Sequence, residues 1–182
     1  MKRQLMVEDN EAAEPSNPTW KQVVQLEPSE IFEDAERFQS RAAYPRDYRE
    51  SDLDDVNAYN PLFAGVISVW RDPDDERIYV VKGHRRLRLA KRVRAPWVRA
   101  RFLSALTDAD AFAAGVELGI ADWAGEGGDK MLWAIESRRA AVDRALHTRW
   151  LDPDSEPARR LYQYYPDLGR RYSESPEDYE GK

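Results

Sequence analysis

Apolar residues along this chain follow two kinds of pattern, and the change between them falls near residue 106. Before it, short runs rich in β-branched residues are separated by turn signals. Val23-Val24-Gln25-Leu26 is one such run, closed by Glu27-Pro28; Val66-Ile67-Ser68-Val69-Trp70 is a second. Residues 77–82 and 97–103 supply two more, and each reads as a strand. Asp72-Pro73-Asp74-Asp75 has turn composition, so 66–82 reads as a hairpin. Residues 85–94 carry a helical period that ends at Pro96. Ser29 stands where it caps a short helical turn over 30–32. Residues 33–60 show no clean period; loop and short helix are expected there, with 52–59 the best helical segment.

After Leu106 the pattern becomes helical. Thr107 is placed as an N-cap with Asp110 three residues on, and the helix it opens runs to about residue 118. Gly125, Gly127 and Gly128 make a loop before a long helix over 129–149. Pro153 and Pro157 break the chain, and 158–165 forms a last short helix. Residues 1–18 are polar, acidic and aperiodic and read as a disordered tail; 173–182 reads as an acidic tail. What lies between divides into a domain over 19–106 and a helical extension over 107–172. The fold class expected is α+β: a small mixed β-sheet with packed helices, followed by C-terminal helices.

Six Trp, nine Tyr and five Phe provide enough apolar bulk for a real core. The absence of cysteine excludes disulfides, thiolate metal sites and thiol nucleophiles. His84 and His147 are the only histidines, so no metal site is expected. No apolar run has membrane length and no signal-peptide core is present, which makes the cytoplasm the expected location, without a membrane partner. The net charge of −6 argues against a surface that binds polyanions everywhere. The distribution is more telling: residues 82–101 hold nine Lys or Arg and no acid. A basic face on an acidic protein suggests local capture of phosphate.

That face begins at Lys82-Gly83-His84-Arg85-Arg86-Leu87-Arg88-Leu89-Ala90-Lys91-Arg92, where a strand meets a helix through a glycine. Helix N-termini offer unpaired N–H groups and the positive end of the backbone dipole. Guanidinium groups beside them make a phosphate site. On a helical projection Leu87, Leu89, Ala90 and Val93 share one apolar arc, with His84, Arg85, Arg88, Lys91 and Arg92 opposite. Arg86 points toward the apolar side and needs a partner, either a protein carboxylate or a bound phosphate. Gly83 suits a tight turn with positive φ. His84 is open to two readings, a hydrogen-bonding residue behind the site or an exposed turn residue. For Arg88, Lys91 and Arg92, nucleic-acid contact and an ordinary solvated face both fit.

Gly83-His84-Arg85-Arg86-Leu87-Arg88-Leu89-Ala90-Lys91 resembles the glycine–acid–arginine–arginine box in the N-terminal domains of ParB partition proteins, within the ParB/sulfiredoxin-like fold. His84 replaces the usual acid and Leu89 a usual alanine. Gln39-Ser40-Arg41 resembles the family's glutamine–proline–arginine motif, with serine for proline, and Pro61 stands where the family has a proline before a strand. The resemblance covers about residues 22–104. It implies a nucleoside triphosphate pocket, with magnesium, contacted by Gly83, His84, Arg85, Arg86 and Arg41, and a protein that works near DNA in a plasmid, phage or partition setting. The family's third motif and its helix-turn-helix are not matched after Leu103. Sulfiredoxin chemistry is excluded by the lack of cysteine.

Two alternatives stand beside nucleotide and DNA binding. One is an enzyme, a phosphotransferase or nuclease, for which Glu27, Glu30 and Glu33 are the candidate carboxylates. The acids of 72–76 read instead as a solvated turn. The other is a protein-interaction module that has kept the fold and lost the ligand. Trp97, Phe102, Trp123, Trp133 and Trp150 are expected to pack, and Tyr162, Tyr164 and Tyr165 beside Arg159 and Arg160 to dock on the main domain.

Overall fold

The structure is a computed structural model that describes residues 22–40, 58–125 and 128–174. The expected tail at 1–18, and all but Ser173 and Glu174 of the tail expected at 173–182, lie outside the described residues. So do Arg41 and most of the expected 52–59 helix.

Five strands form one mixed sheet. They are β1 (Val23–Leu26), β2 (Ile31–Phe32), β3 (Ile67–Arg71), β4 (Ile78–Lys82) and β5 (Val98–Phe102), in the order β1-β5-β3-β4-β2. The β3–β4 hairpin and the β1–β5 edge pair are antiparallel; β5 with β3 and β2 with β4 are parallel. The hairpin turn closes through Asp72, whose N–H donates to the Arg77 carbonyl at 2.9 Å and whose carboxylate accepts from the Asp74 N–H at 3.0 Å. Arg37 of α1 (Ala35–Phe38) holds the same carboxylate at 2.9 Å and Asp34 at 2.8 Å.

The short turn expected at 30–32 is a correction. The helical turn is a 3-10 turn at Pro28–Glu30, and Ile31 and Phe32 leave it to pair with Ile78 and Tyr79. Ile31 is buried, and docking beside β4 satisfies its backbone where another helical turn could not.

Alternation sends each strand's side chains to two faces. On one face Ile67, Val69, Ile78, Val80, Val98, Ala100 and Phe102 pack with Leu87 and Ala90 of α2 (His84–Arg92). On the other, Trp70, Tyr79 and Val81 join a second core with residues of α3 (Asp108–Ala121), α4 (Gly128–His147), α5 (Glu156–Tyr162) and α6 (Pro166–Tyr172). Thr107 caps α3 by accepting from the Asp110 N–H at 3.1 Å. The last helix, α6, was not expected from the sequence. It starts at Pro166, whose missing N–H costs nothing there, and buries Leu168. Tyr162 and Tyr165 are buried too, their hydroxyls donating to the carbonyls of Pro153 and Ile135 at 2.9 Å each.

Candidate phosphate site

The β4 strand ends at Lys82, and Gly83 turns the chain into α2 with φ 102°, ψ 22°. Two constraints require glycine. The left-handed backbone disfavours any side chain, and a Cβ here would meet Ile67 Cγ2 at 2.7 Å. The backbone therefore crosses close over the start of β3, bringing the helix N-terminus to that end of the sheet.

The first helical hydrogen bond runs from the Leu87 N–H to the Gly83 carbonyl, at 3.0 Å. The amides of His84, Arg85 and Arg86 therefore have no intrahelical acceptor. Gly83 offers no side-chain cap, and the first turn carries no acid. Such an end holds roughly half a positive charge without internal compensation.

Arg86 is directed as expected, toward the sheet, but its partner there is a neutral backbone carbonyl and not a carboxylate. Its Nη1 donates to the Val66 carbonyl at 2.9 Å. Gly65 (φ +76°) lets the backbone pass beside the guanidinium, which would lie 3.8 Å from a Cβ at that position. A carbonyl positions the cation and leaves its charge unneutralised. Tyr59 adds a group that the sequence did not single out. Its hydroxyl is buried without a hydrogen-bond partner; burial raises its pKa, and the Arg86 charge opposes that rise. Only a local composition signal, an aromatic shortly before a Pro–Gly loop, precedes it.

The Arg85 side chain makes no ion pair or hydrogen bond among the described residues. His84 is not an exposed turn residue. Its Nε2 is buried and unpartnered, and burial, opposed by the Glu33 carboxylate and assisted by Arg88, pushes the imidazole down to about 4. It is neutral at pH 7 and adds no charge to the site.

The remaining candidates separate. Arg88 Nε pairs with Glu33 at 2.7 Å, and Lys91 Nζ donates to the Ile31 carbonyl at 2.6 Å; both tie α2 to the β2 edge. Arg92 is exposed near the helix end. Glu33 thus stands by the helix while engaged in an ion pair. Glu30 is exposed on the 3-10 turn. Glu27 lines an open hollow of about 660 Å³ with Pro28, Lys91, Arg94 and Pro96. That hollow adjoins the C-terminal end of α2, where the carbonyl dipoles oppose an anion, so it is separate from the candidate site at the helix N-terminus. Lys82, last in β4, pairs with Asp122 just beyond α3 at 2.5 Å and so links the helices to the strand that feeds the turn.

No family model matches the chain, and no curated protein matches it. Among solved structures it is similar to the C-terminally truncated chromosome-partitioning protein ParB from Caulobacter crescentus complexed to the centromeric parS site. The identity is 13%, the TM-score 0.42, and the match covers 86% of this chain and 76% of that one. It is likewise similar to the truncated ParB complexed with CTP-gamma-S, at 17% identity and TM-score 0.39, over 82% of this chain and 77% of that one. These are loose likenesses of fold and say nothing about the site.

No helix among the described residues is long and apolar enough to cross a membrane.

Proposed function

We propose that the chain binds a phosphate-bearing ligand, a nucleoside triphosphate carried with magnesium, at the N-terminus of α2, and that it works near DNA. One observation carries the reading: an uncapped helix N-terminus follows a left-handed glycine and stands beside Arg85 and Arg86, neither of which has a carboxylate partner among the described residues. Amides of Gly83 to Arg86 would take phosphate oxygens, Arg86 would add a guanidinium already oriented by Val66, and Arg85 would close the outer side. The glycine–arginine–arginine box, which in the partition proteins it resembles lines a triphosphate pocket, supports the choice of ligand, as does the motif that contributes Arg41. Magnesium needs no dedicated protein cage, because it binds mainly through phosphate oxygens and water. The DNA setting rests on that motif resemblance, with Arg88, Lys91 and Arg92 as the contacts.

Phosphoryl transfer is the second reading. It is favoured by Glu33, the candidate carboxylate that lies beside α2, within 2.7 Å of Arg88. Under that reading Glu33→Gln abolishes turnover and spares ligand binding.

A thermal-shift screen of the four nucleoside triphosphates with magnesium tests the main reading. Stabilisation of several degrees is expected at ligand concentrations about 100-fold above Kd. The Arg85→Ala/Arg86→Ala protein should melt at its own unshifted temperature in every case. Equal stabilisation of both proteins overturns the site.

A further inference from the structure

The α2 site uses only one end of the sheet. The other half of the sheet has a face with no function so far. In β5 the buried residues Val98, Ala100 and Phe102 face α2, so Arg99 and Arg101 face the opposite side. On that side α1 and α3 lie over β4, whereas β1 and β5 make their main contacts with strands. Gln25 pairs with Arg99 in register and is exposed; Val23 pairs with Arg101. Trp97 immediately precedes β5, two residues before Arg99. This half-face therefore carries two guanidinium groups in one column, with an indole at its start and no acid within β1 or β5.

The two arginines are chemically unspent. Among the described residues neither the Arg99 nor the Arg101 side chain makes an ion pair or hydrogen bond, and the Nε of Arg101 is buried without an acceptor. A buried guanidinium N–H without an acceptor costs free energy that an arriving anion recovers. Trp97 is half-buried and has no ring partner among the described residues. Partners two residues apart on a strand are about 6.7 Å apart on one face, a flat and regularly spaced ladder.

We infer that this face of β1 and β5, through Trp97, Arg99 and Arg101, binds single-stranded nucleic acid. Charge complementarity selects a polyanion, and the indole selects one whose units have flat faces to stack. A duplex is the poorer fit, because its bases are already stacked on one another and closed to Trp97. The surface is separate from the α2 site and does not depend on the nucleotide reading.

Fluorescence anisotropy with labelled 20-mers of oligo-dT and oligo-U, at low and moderate salt, tests it on the full chain. The wild-type protein should bind both and bind the equivalent duplex more weakly. Arg99→Ala/Arg101→Ala should weaken binding about tenfold or more and flatten the slope of log K against log salt by about 1.4, the share of two phosphate contacts on a single strand. Trp97→Ala should weaken binding with the salt slope unchanged, the mark of a stacking contact. Arg85→Ala/Arg86→Ala serves as the comparison variant at the α2 site. Thermal melts of each variant confirm folding, and Arg99→Lys/Arg101→Lys, which keeps the charges, should restore most of the affinity and serves in place of a misfolded alanine variant. The proposal is overturned by unchanged affinity in the Arg99/Arg101 variant, by loss only in the Arg85/Arg86 variant, by a preference for duplex, or by no binding at all.

Discussion

Gly83 bears the tightest local constraint in the site. Gly83→Ala must place a side chain at φ 102° with its Cβ 2.7 Å from Ile67 Cγ2. A loss of about 1–3 kcal/mol in urea unfolding is expected; a midpoint equal to wild type would show that the turn tolerates a side chain. His84 gives a pH signature. Its folded pKa, about 4, lies below the ordinary 6.5, so between those values the unfolded chain binds the extra proton. Stability is complete above about 6.5 and falls as the pH drops toward 4, by roughly 3 kcal/mol at most. His84→Gln carries no titrating group, so its stability, followed by urea midpoints from pH 7 to 4, should fall less steeply than that of wild type. Parallel curves would place the imidazole in solvent. The same residue shows what composition hides: a histidine between a glycine and two arginines reads equally well as buried or exposed, and only the packing around the turn decides. Arg86 is similar. Its inward direction follows from helical geometry, whereas its carbonyl partner belongs to a loop twenty residues away and leaves no mark in the local pattern.

Among the elements, the strands were legible where β-branched residues run together, as in β3 and β4, because both faces of those strands are buried. β2 was not, because two residues have no period and their extended state is fixed by pairing with distant β4. α6 was missed for a related reason: seven residues with one buried leucine carry too little periodicity. The cation cluster of 82–101 was legible as a cluster, but it is split by the fold. Arg85 and Arg86 belong to the turn, Arg88 and Lys91 fasten α2 to the β2 edge, and Arg99 and Arg101 face the other side of the sheet. The join between α1 and the hairpin gives a sharp energetic test. Arg37 bridges Asp34 and Asp72 and stacks its guanidinium 4.5 Å from the Tyr79 ring centroid. Arg37→Met strands the buried Asp72 carboxylate and should cost about 3 kcal/mol. Adding Asp72→Asn should recover part of that loss, and a strictly additive double mutant would deny the coupling.

The sheet and the C-terminal helices share a core, in which Trp70, Tyr79 and Val81 pack with residues such as Phe112, Val142, Leu161 and Tyr162. Unfolding of the described body should accordingly be one transition. Leu161→Ala, far from the turn, should lower stability by about 2–5 kcal/mol and shift tryptophan fluorescence and far-ultraviolet circular dichroism together. Separate midpoints for the two signals would mean that helices and sheet fold apart. The shared core, with the Lys82–Asp122 pair, also fixes the strand that delivers Gly83, so the turn into α2 is held from both faces of the sheet. The claim on which the account turns is that ligand phosphates lodge on the amides at the start of α2. Amide chemical shifts measured while a magnesium–nucleoside triphosphate is titrated into the labelled protein test it most directly. The largest, saturable changes are predicted at Gly83, His84, Arg85 and Arg86, and they should vanish in the Arg85→Ala/Arg86→Ala protein. Changes centred on the hollow around Glu27 and Arg94, or no saturable change at Gly83 to Arg86, would contradict it.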